Sequence, residues 1–146
     1  MARLIAFALP EKPLSYNSSR KEVYASKLRG AFLGAGGTLG SVDPPHYGLV
    51  YFLHKVDAPI DADNMSKPVW DALDGLAYDD DATVRLRIAG KIGLRGDRRT
   101  RFDLSKIPDA TAGRLTTLIG SQKHDHILSV ELGTLRDGMF AFGLAS

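Results

Sequence analysis

The chain has 146 residues, of which 44% are hydrophobic and 25% are charged. This length and composition suit a globular protein that buries its own core, so we expect one domain over residues 1–146. Cysteine is absent, which excludes a disulfide framework and a cysteine-ligated zinc site. Any metal would be held by oxygen or imidazole ligands, which favours Mg²⁺, Mn²⁺ or Ca²⁺.

The apolar stretches are short. Residues 4–9 form an apolar run that stops at Pro10, and this run is too short for a signal-peptide core or a membrane span. No later stretch approaches the roughly 20 apolar residues that a transmembrane helix needs. We therefore expect a cytoplasmic protein without membrane contact.

The net charge of +2 conceals a division along the chain. Residues 57–81 hold eight aspartates and one lysine, whereas residues 84–101 hold seven basic side chains and one aspartate. A metal-dependent enzyme that acts on a polyanion needs such a division, because one part collects cations and the other collects phosphates. Two solvated surfaces of opposite charge would give the same pattern.

Hydrophobic periodicity predicts the elements of the first half. Residues 2–9 form a strand, and Ser18 or Ser19 would cap a helix from about Arg20. Residues 47–56 alternate as a second strand. A turn at residues 61–64 then leads to a helix that should begin at about Ser66 and reach residue 76, since Pro68 fits only in a first turn.

The second half is predicted with less regular signals. Residues 84–88 alternate as a half-buried strand with its arginines facing outward. Residues 93–101 form a basic loop or hairpin, residues 109–119 a helix, and residues 127–132 and 139–144 two further strands.

Two acidic segments flank the predicted central helix. In an extended chain, side chains at positions i and i+2 point to the same side, so Asp61 and Asp63 could converge on one cation. The run Asp79-Asp80-Asp81 lies immediately before the next strand. If the two strands are neighbours in the sheet, both segments meet at one edge and place three carboxylates around Mg²⁺.

Each of these features also has an ordinary structural interpretation. An acidic turn is often a helix cap or a solvated loop. Lys67 could pair with Asp71, contact a phosphate, or do both in turn. An EF-hand is excluded, because Ser66 and Ala72 occupy the positions of its glycine and glutamate. The pair His124 and His126 could join a metal site or be structural histidines.

The acidic segments belong to a longer motif. Residues 61–76 read D-x-D-N-x-x-K followed by D-A-L, and residues 80–84 read D-D-x-x-V. Residues 13–17 fit the pattern Pro-x-Ser-x-Asn. Together these segments resemble the RusA family of Holliday junction resolvases. Several residue types at fixed spacing over about 25 positions make this a specific match.

The resemblance implies a single compact α+β domain with a mixed β-sheet packed with helices. It also implies a homodimeric endodeoxyribonuclease that resolves four-way DNA junctions by paired symmetric nicks in DNA recombination and repair. Mg²⁺ would be its cofactor, with Mn²⁺ as a substitute. The motif implies that Asp61, Asp63 and Asp81 are the metal-binding catalytic carboxylates, that Lys67 lies near the scissile phosphate and binds DNA, and that Asp71 and Asp80 support them. In the basic segment, three arginines are candidates for contacts with backbone phosphates: Arg98, Arg99 and Arg101. The same segment could instead be a solvated loop.

The chain departs from the family pattern in two places. Residues 57–60 read Asp-Ala-Pro-Ile where relatives often carry basic residues, and the segment after Val84 is longer than usual. One alternative is a non-catalytic protein of the same fold that binds junction DNA, although the intact motif favours an enzyme. Another is a metal-stabilised structural or partner-binding domain, which would melt in a metal-dependent way and have no affinity for nucleic acid.

Overall fold

A computed structural model describes residues 4–15, 18–95, 103–141 and 143. The described residues form three α-helices, two short 3-10 helices and four β-strands. In chain order the helices and strands are β1 (Leu4–Leu9), α1 (Lys21–Gly34), β2 (His46–His54), α2 (Ala62–Leu73), β3 (Val84–Gly93), α3 (Asp109–Gly120) and β4 (His126–Thr134). The 3-10 helices are Asp81–Thr83 and Leu104–Lys106.

The four strands form one mixed sheet in the order β1-β4-β2-β3. Strand β4 pairs antiparallel with both β1 and β2, whereas β2 and β3 run parallel. Strand β3 is therefore an edge strand of the described sheet, and α2 is the crossover that a parallel pair requires. The chain is a single compact α+β domain, as the sequence predicted.

Helices α1 and α2 cover one face of the sheet. The side chains of Leu28 and Phe32 from α1 and of Val69 and Trp70 from α2 are buried in the main hydrophobic core. Trp70 lies over β2 at Gly48, where a Cβ atom would come within 2.3 Å of the indole ring. Glycine at position 48 thus lets α2 approach the sheet closely.

Helix α3 covers the opposite face. Its Leu115 and Leu118 pack against Leu53 of β2 and Ile127 of β4 in a second, smaller core. The hydroxyl of Thr111 donates a hydrogen bond of 2.7 Å to the backbone oxygen of Ala6 in β1. Helix α2, which follows β2, and helix α3, which follows β3, therefore lie on different faces of the sheet. Of these two helices, α2 is the one next to the acidic segments.

A bulge near the start of β3 decides which face its side chains occupy. His46 pairs with Val84 and Tyr47 pairs with Leu86, so Arg85 is the extra residue. Beyond the bulge Arg87 pairs with Gly48, and opposite residues in a sheet share a face. Arg87 therefore lies on the face covered by α2, whereas Leu86 lies on the α3 face.

Several sequence predictions need correction. No side-chain hydrogen bond caps α1, whose N-cap residue is Arg20 rather than a serine. Strand β3 continues to Gly93, beyond the predicted end at residue 88. The predicted strand at 139–144 is absent from its described residues, 139–141 and 143. In the described part of the chain, no helix is long and apolar enough to cross a membrane.

Candidate functional site

Asp61 is the N-cap residue of α2. Its backbone is extended, and its carbonyl oxygen accepts the first hydrogen bond of the helix, from the Met65 amide at 3.1 Å. Its side chain makes no capping hydrogen bond and is exposed to solvent. Capping therefore does not account for this carboxylate, although Asp61 stands at the position where aspartate usually caps.

Asp63 lies in the first turn of α2 and is exposed. The prediction of a turn through residue 64 was wrong, because the helix begins at Ala62 and contains Pro68 in its interior. Met65 is fully buried. Its burial stabilises the helix and offsets the free-energy cost of the backbone hydrogen bond that Pro68 cannot donate. The argument from extended geometry therefore fails for Asp63, which is helical.

Lys67 follows Asp63 by one helical turn and Asp71 follows Lys67 by another, so the three side chains line one face of α2. Lys67 Nζ lies 3.3 Å from Asp71 Oδ1, and both side chains are about half exposed. Of the interpretations that the sequence allowed for Lys67, the ion pair with Asp71 is present. Such exposed pairs contribute roughly 0.3–0.5 kcal/mol, so this pair adds little to the stability of α2.

The second acidic segment lies beside the start of β3. The Asp80 side chain caps the 3-10 helix by accepting a hydrogen bond of 2.9 Å from the Ala82 amide. Asp81 is exposed, and its Oδ2 lies 3.7 Å from Nη2 of Arg87. Asp80 therefore supports the local structure, whereas Asp81 presents a carboxylate next to a cation.

The two acidic segments lie at opposite ends of α2. The hydroxyl of Thr83 contacts His46, the first residue of β2, at 2.9 Å, whereas Asp61 follows the other end of that strand. The predicted meeting at one edge does not occur, because β2 and β3 are neighbours but run parallel. Among the described residues, no three His, Asp or Glu side chains stand close enough together to hold a metal ion.

Tyr78 joins the second segment to α2. Its hydroxyl donates a hydrogen bond of 2.6 Å to the backbone oxygen of Trp70, and burial keeps its pKa far above the ordinary value. The charge of Arg87 lowers this pKa, and nearby carboxylates raise it: Asp74, Asp81 and Asp71. The phenol therefore stays neutral and acts as a structural donor. Sequence reasoning missed this contact, since nothing in the spacing marks it.

The basic segment after Asp81 contains arginines on β3 and arginines beyond it. Arg98, Arg99 and Arg101, the predicted phosphate contacts, lie outside the described residues. Arg85 and Arg87 are exposed on the edge strand β3, and the alternation of residues 84–88 had indicated their outward position. Arg87 places a cation beside Asp81 on the face covered by α2, and Arg85 lies two positions earlier on the same strand.

The histidines have structural surroundings. His126 pairs with His54 between β4 and β2, and both rings lie against Phe52, with centroid distances of 5.7 Å and 5.0 Å. These contacts favour the structural interpretation of His126. His124 precedes β4 and is partly buried.

No protein-family model and no curated protein matches this chain. A functional proposal therefore depends on the motif residues and on the geometry that surrounds them.

Proposed function

We propose that this protein is a Mg²⁺-dependent endodeoxyribonuclease of the RusA type that resolves four-way DNA junctions by paired nicks. The observation that carries the proposal is the start of α2, where Asp61 and Asp63 present exposed carboxylates and the Asp61 side chain makes no capping hydrogen bond. Lys67 lies one turn further along the same helix. These residues are three of the positions in the motif D-x-D-N-x-x-K.

The donor set fits Mg²⁺. This ion prefers oxygen ligands and is usually held by one or two carboxylates, with water and substrate phosphates completing its shell. Asp61 and Asp63 supply two carboxylates at an exposed position that DNA can reach. A third protein carboxylate is therefore not required to begin binding.

Charges on the described residues would hold the DNA backbone. Lys67 stabilises negative charge on the scissile phosphate when that phosphate replaces Asp71 as its partner. Arg85 and Arg87 bind neighbouring phosphates, which fixes the position of the DNA without reading its sequence. When bound, Mg²⁺ supplies an activated water and stabilises charge on the attacking and leaving oxygens.

A second candidate is a non-catalytic protein that binds junction DNA. The separation of Asp81 from the start of α2 favours it, since three converged carboxylates are absent from the described residues. Both candidates predict junction affinity that falls with salt, because both use the same cations. The metal-stabilised structural domain predicts no such affinity.

Cleavage of a labelled four-way junction, compared with a matched linear duplex in Mg²⁺ and in EDTA, tests the proposal. We expect paired nicks in the junction alone, dependent on Mg²⁺ and abolished by Asp63→Asn, with junction binding retained. Asp109→Asn is the matched control, because Asp109 is an exposed aspartate in the first turn of α3 on the far face. Tight binding without nicks would support the second candidate, and normal nicking by Asp63→Asn would refute this site.

We further propose a homodimer, since two nicks across a two-fold junction call for two equivalent sites. The molar mass in solution, measured by light scattering, should be twice that of the 15.8 kDa chain. A strictly monomeric mass, both free and bound to a junction, would contradict paired nicking by one assembly.

A further inference from the structure

Lys91 of β3 reaches across to the segment that connects β2 to α2. Its Nζ lies 2.8 Å from Asp57 Oδ1 and 2.8 Å from the backbone oxygen of Ala58. The Lys91 side chain is only 24% exposed. Two of the three donors of the ammonium are therefore committed to one short segment of the chain.

The same segment is closed by its own backbone. The Ala58 amide donates to Asp57 Oδ1 at 2.7 Å, and the Ala58 oxygen accepts from the Ile60 amide at 2.8 Å. Ala58 is itself buried. Lys91 thus completes a network in which each polar group of Ala58 has a partner, three residues before Asp61.

Asp57 is suited to be the partner of Lys91. The hydrogen bond from Lys91, supported by the Ala58 amide and by the nearby His54, lowers the pKa of Asp57 below its ordinary value. The carboxylate is therefore ionised at neutral pH. Lys91 is one of the basic side chains of residues 84–101. Because its ammonium is already paired with Asp57, Lys91 attracts a DNA phosphate less than an unpaired lysine would.

We propose that Lys91 is a positioning residue that fixes the segment from Asp57 to Ile60 and thereby the start of α2, where Asp61 and Asp63 present their carboxylates. This inference rests on the proposed function. Small displacements of ligand-bearing groups are costly, since about 1 Å can reduce a rate by about a hundredfold.

The test compares Lys91→Met, Lys91→Arg and Asp57→Asn in the full-length protein. We expect Lys91→Met to lower the cleavage rate at saturating junction by about tenfold or more and to raise the Mg²⁺ concentration for half-maximal rate. Junction affinity in EDTA should change by less than about twofold. Lys91→Arg should restore part of the rate, and Asp57→Asn should change rate and Mg²⁺ dependence in the same direction as Lys91→Met.

Two readouts do not need activity. Mn²⁺ binding to the free protein should weaken in Lys91→Met, and the Ile60 amide should exchange its hydrogen faster. Lys27→Met is the control, since it removes an ion pair of 2.6 Å with Glu11 that lies away from this segment. If Lys91→Met does not fold, Asp57→Asn decides by the same readouts.

Either of two results would overturn the inference. Wild-type Mg²⁺ dependence, Mn²⁺ affinity and amide exchange in the variants would show that the network positions nothing. A loss of junction affinity with a reduced salt dependence would make Lys91 a phosphate contact instead. If the wild-type protein cleaves no junction, the proposed function fails, and Mn²⁺ affinity and exchange still decide the role of Lys91.

Discussion

Replacing Gly48 by alanine should disturb the packing of α2 on the sheet. The added Cβ would lie 2.3 Å from one carbon of the Trp70 ring and 2.4 Å from the next. Carbon atoms pack at about 3.5–4.0 Å, so the ring must move by more than about 1 Å. Trp70 is only 2% exposed and has no solvent to move into.

Overpacking of this kind costs about 1–3 kcal/mol. For a chain of this size each kcal/mol lowers Tm by about 2–4 °C, so we expect Gly48→Ala to melt about 2–12 °C below the wild type. Cleavage should fall as well, because Trp70 belongs to the helix that carries Asp63 and Lys67. Thermal unfolding followed by circular dichroism measures the first effect, and the junction assay measures the second.

Two variants make this test specific. Gly30→Ala lies in the exposed part of α1 with no atom within 4 Å of the new methyl group, and it should gain about 0.5–1 kcal/mol from helix propensity. Trp70→Phe in the Gly48→Ala background should cost less than the sum of the single changes, because the smaller ring leaves room. A Gly48→Ala protein that melts with the wild type would refute the close approach of α2 to β2.

Two further predictions concern charges. Burial raises the pKa of Glu131 above its ordinary value of 4.5, and a hydrogen bond from Tyr47 opposes this shift. The contribution of this group to the free energy of unfolding is therefore complete below pH 4.5. It is lost as the pH rises through the pKa of the folded state. Glu131→Gln should therefore gain stability relative to the wild type as pH rises toward 8, and a constant difference from pH 4 to 8 in urea unfolding would contradict this. Replacing both Arg85 and Arg87 by glutamine should weaken junction binding at all sequences and reduce the salt slope by about 1–2. Arg114→Gln on α3 should leave the slope unchanged, and an unchanged slope in the double variant would exclude both arginines as phosphate contacts.

Periodicity was sufficient for most of the elements. The alternation around Tyr47 and the helical spacing of Tyr24, Leu28 and Phe32 predicted β2 and α1, because burial on one face fixes both patterns. The predicted start of α2 at about Ser66 was wrong, because the prediction placed Pro68 in the first turn, whereas the helix begins at Ala62 and buries Met65. A local preference of about 3 kcal/mol was offset by packing that the sequence does not display.

The parallel direction of β3 relative to β2 was not predicted from the sequence, and this direction separates the two acidic segments. Strand, helix and strand follow one another from His46 to Gly93, and a connection of this length containing a helix is typical of parallel strands. The signal was therefore present in the sequence. Side-chain contacts across that crossover, such as Lys91 to Asp57 or Tyr78 to Trp70, depend on the three-dimensional path and have no local pattern.

The parallel crossover determines how Asp81 should behave. Helix α2 has 12 residues and is therefore about 18 Å long, with Asp61 at its start and the Asp81 segment beside its end. Two carboxylates with substrate phosphates suffice for Mg²⁺, so we expect Asp81→Asn to reduce junction cleavage less than Asp63→Asn does and to leave Mn²⁺ affinity of the free protein unchanged. Asp79→Asn, an exposed aspartate two positions earlier in the same segment, is the control. Equal loss of cleavage and Mn²⁺ affinity in Asp81→Asn and Asp63→Asn would show that both ends of α2 serve one metal centre, which this chain could form only by rearranging or by pairing with a second copy.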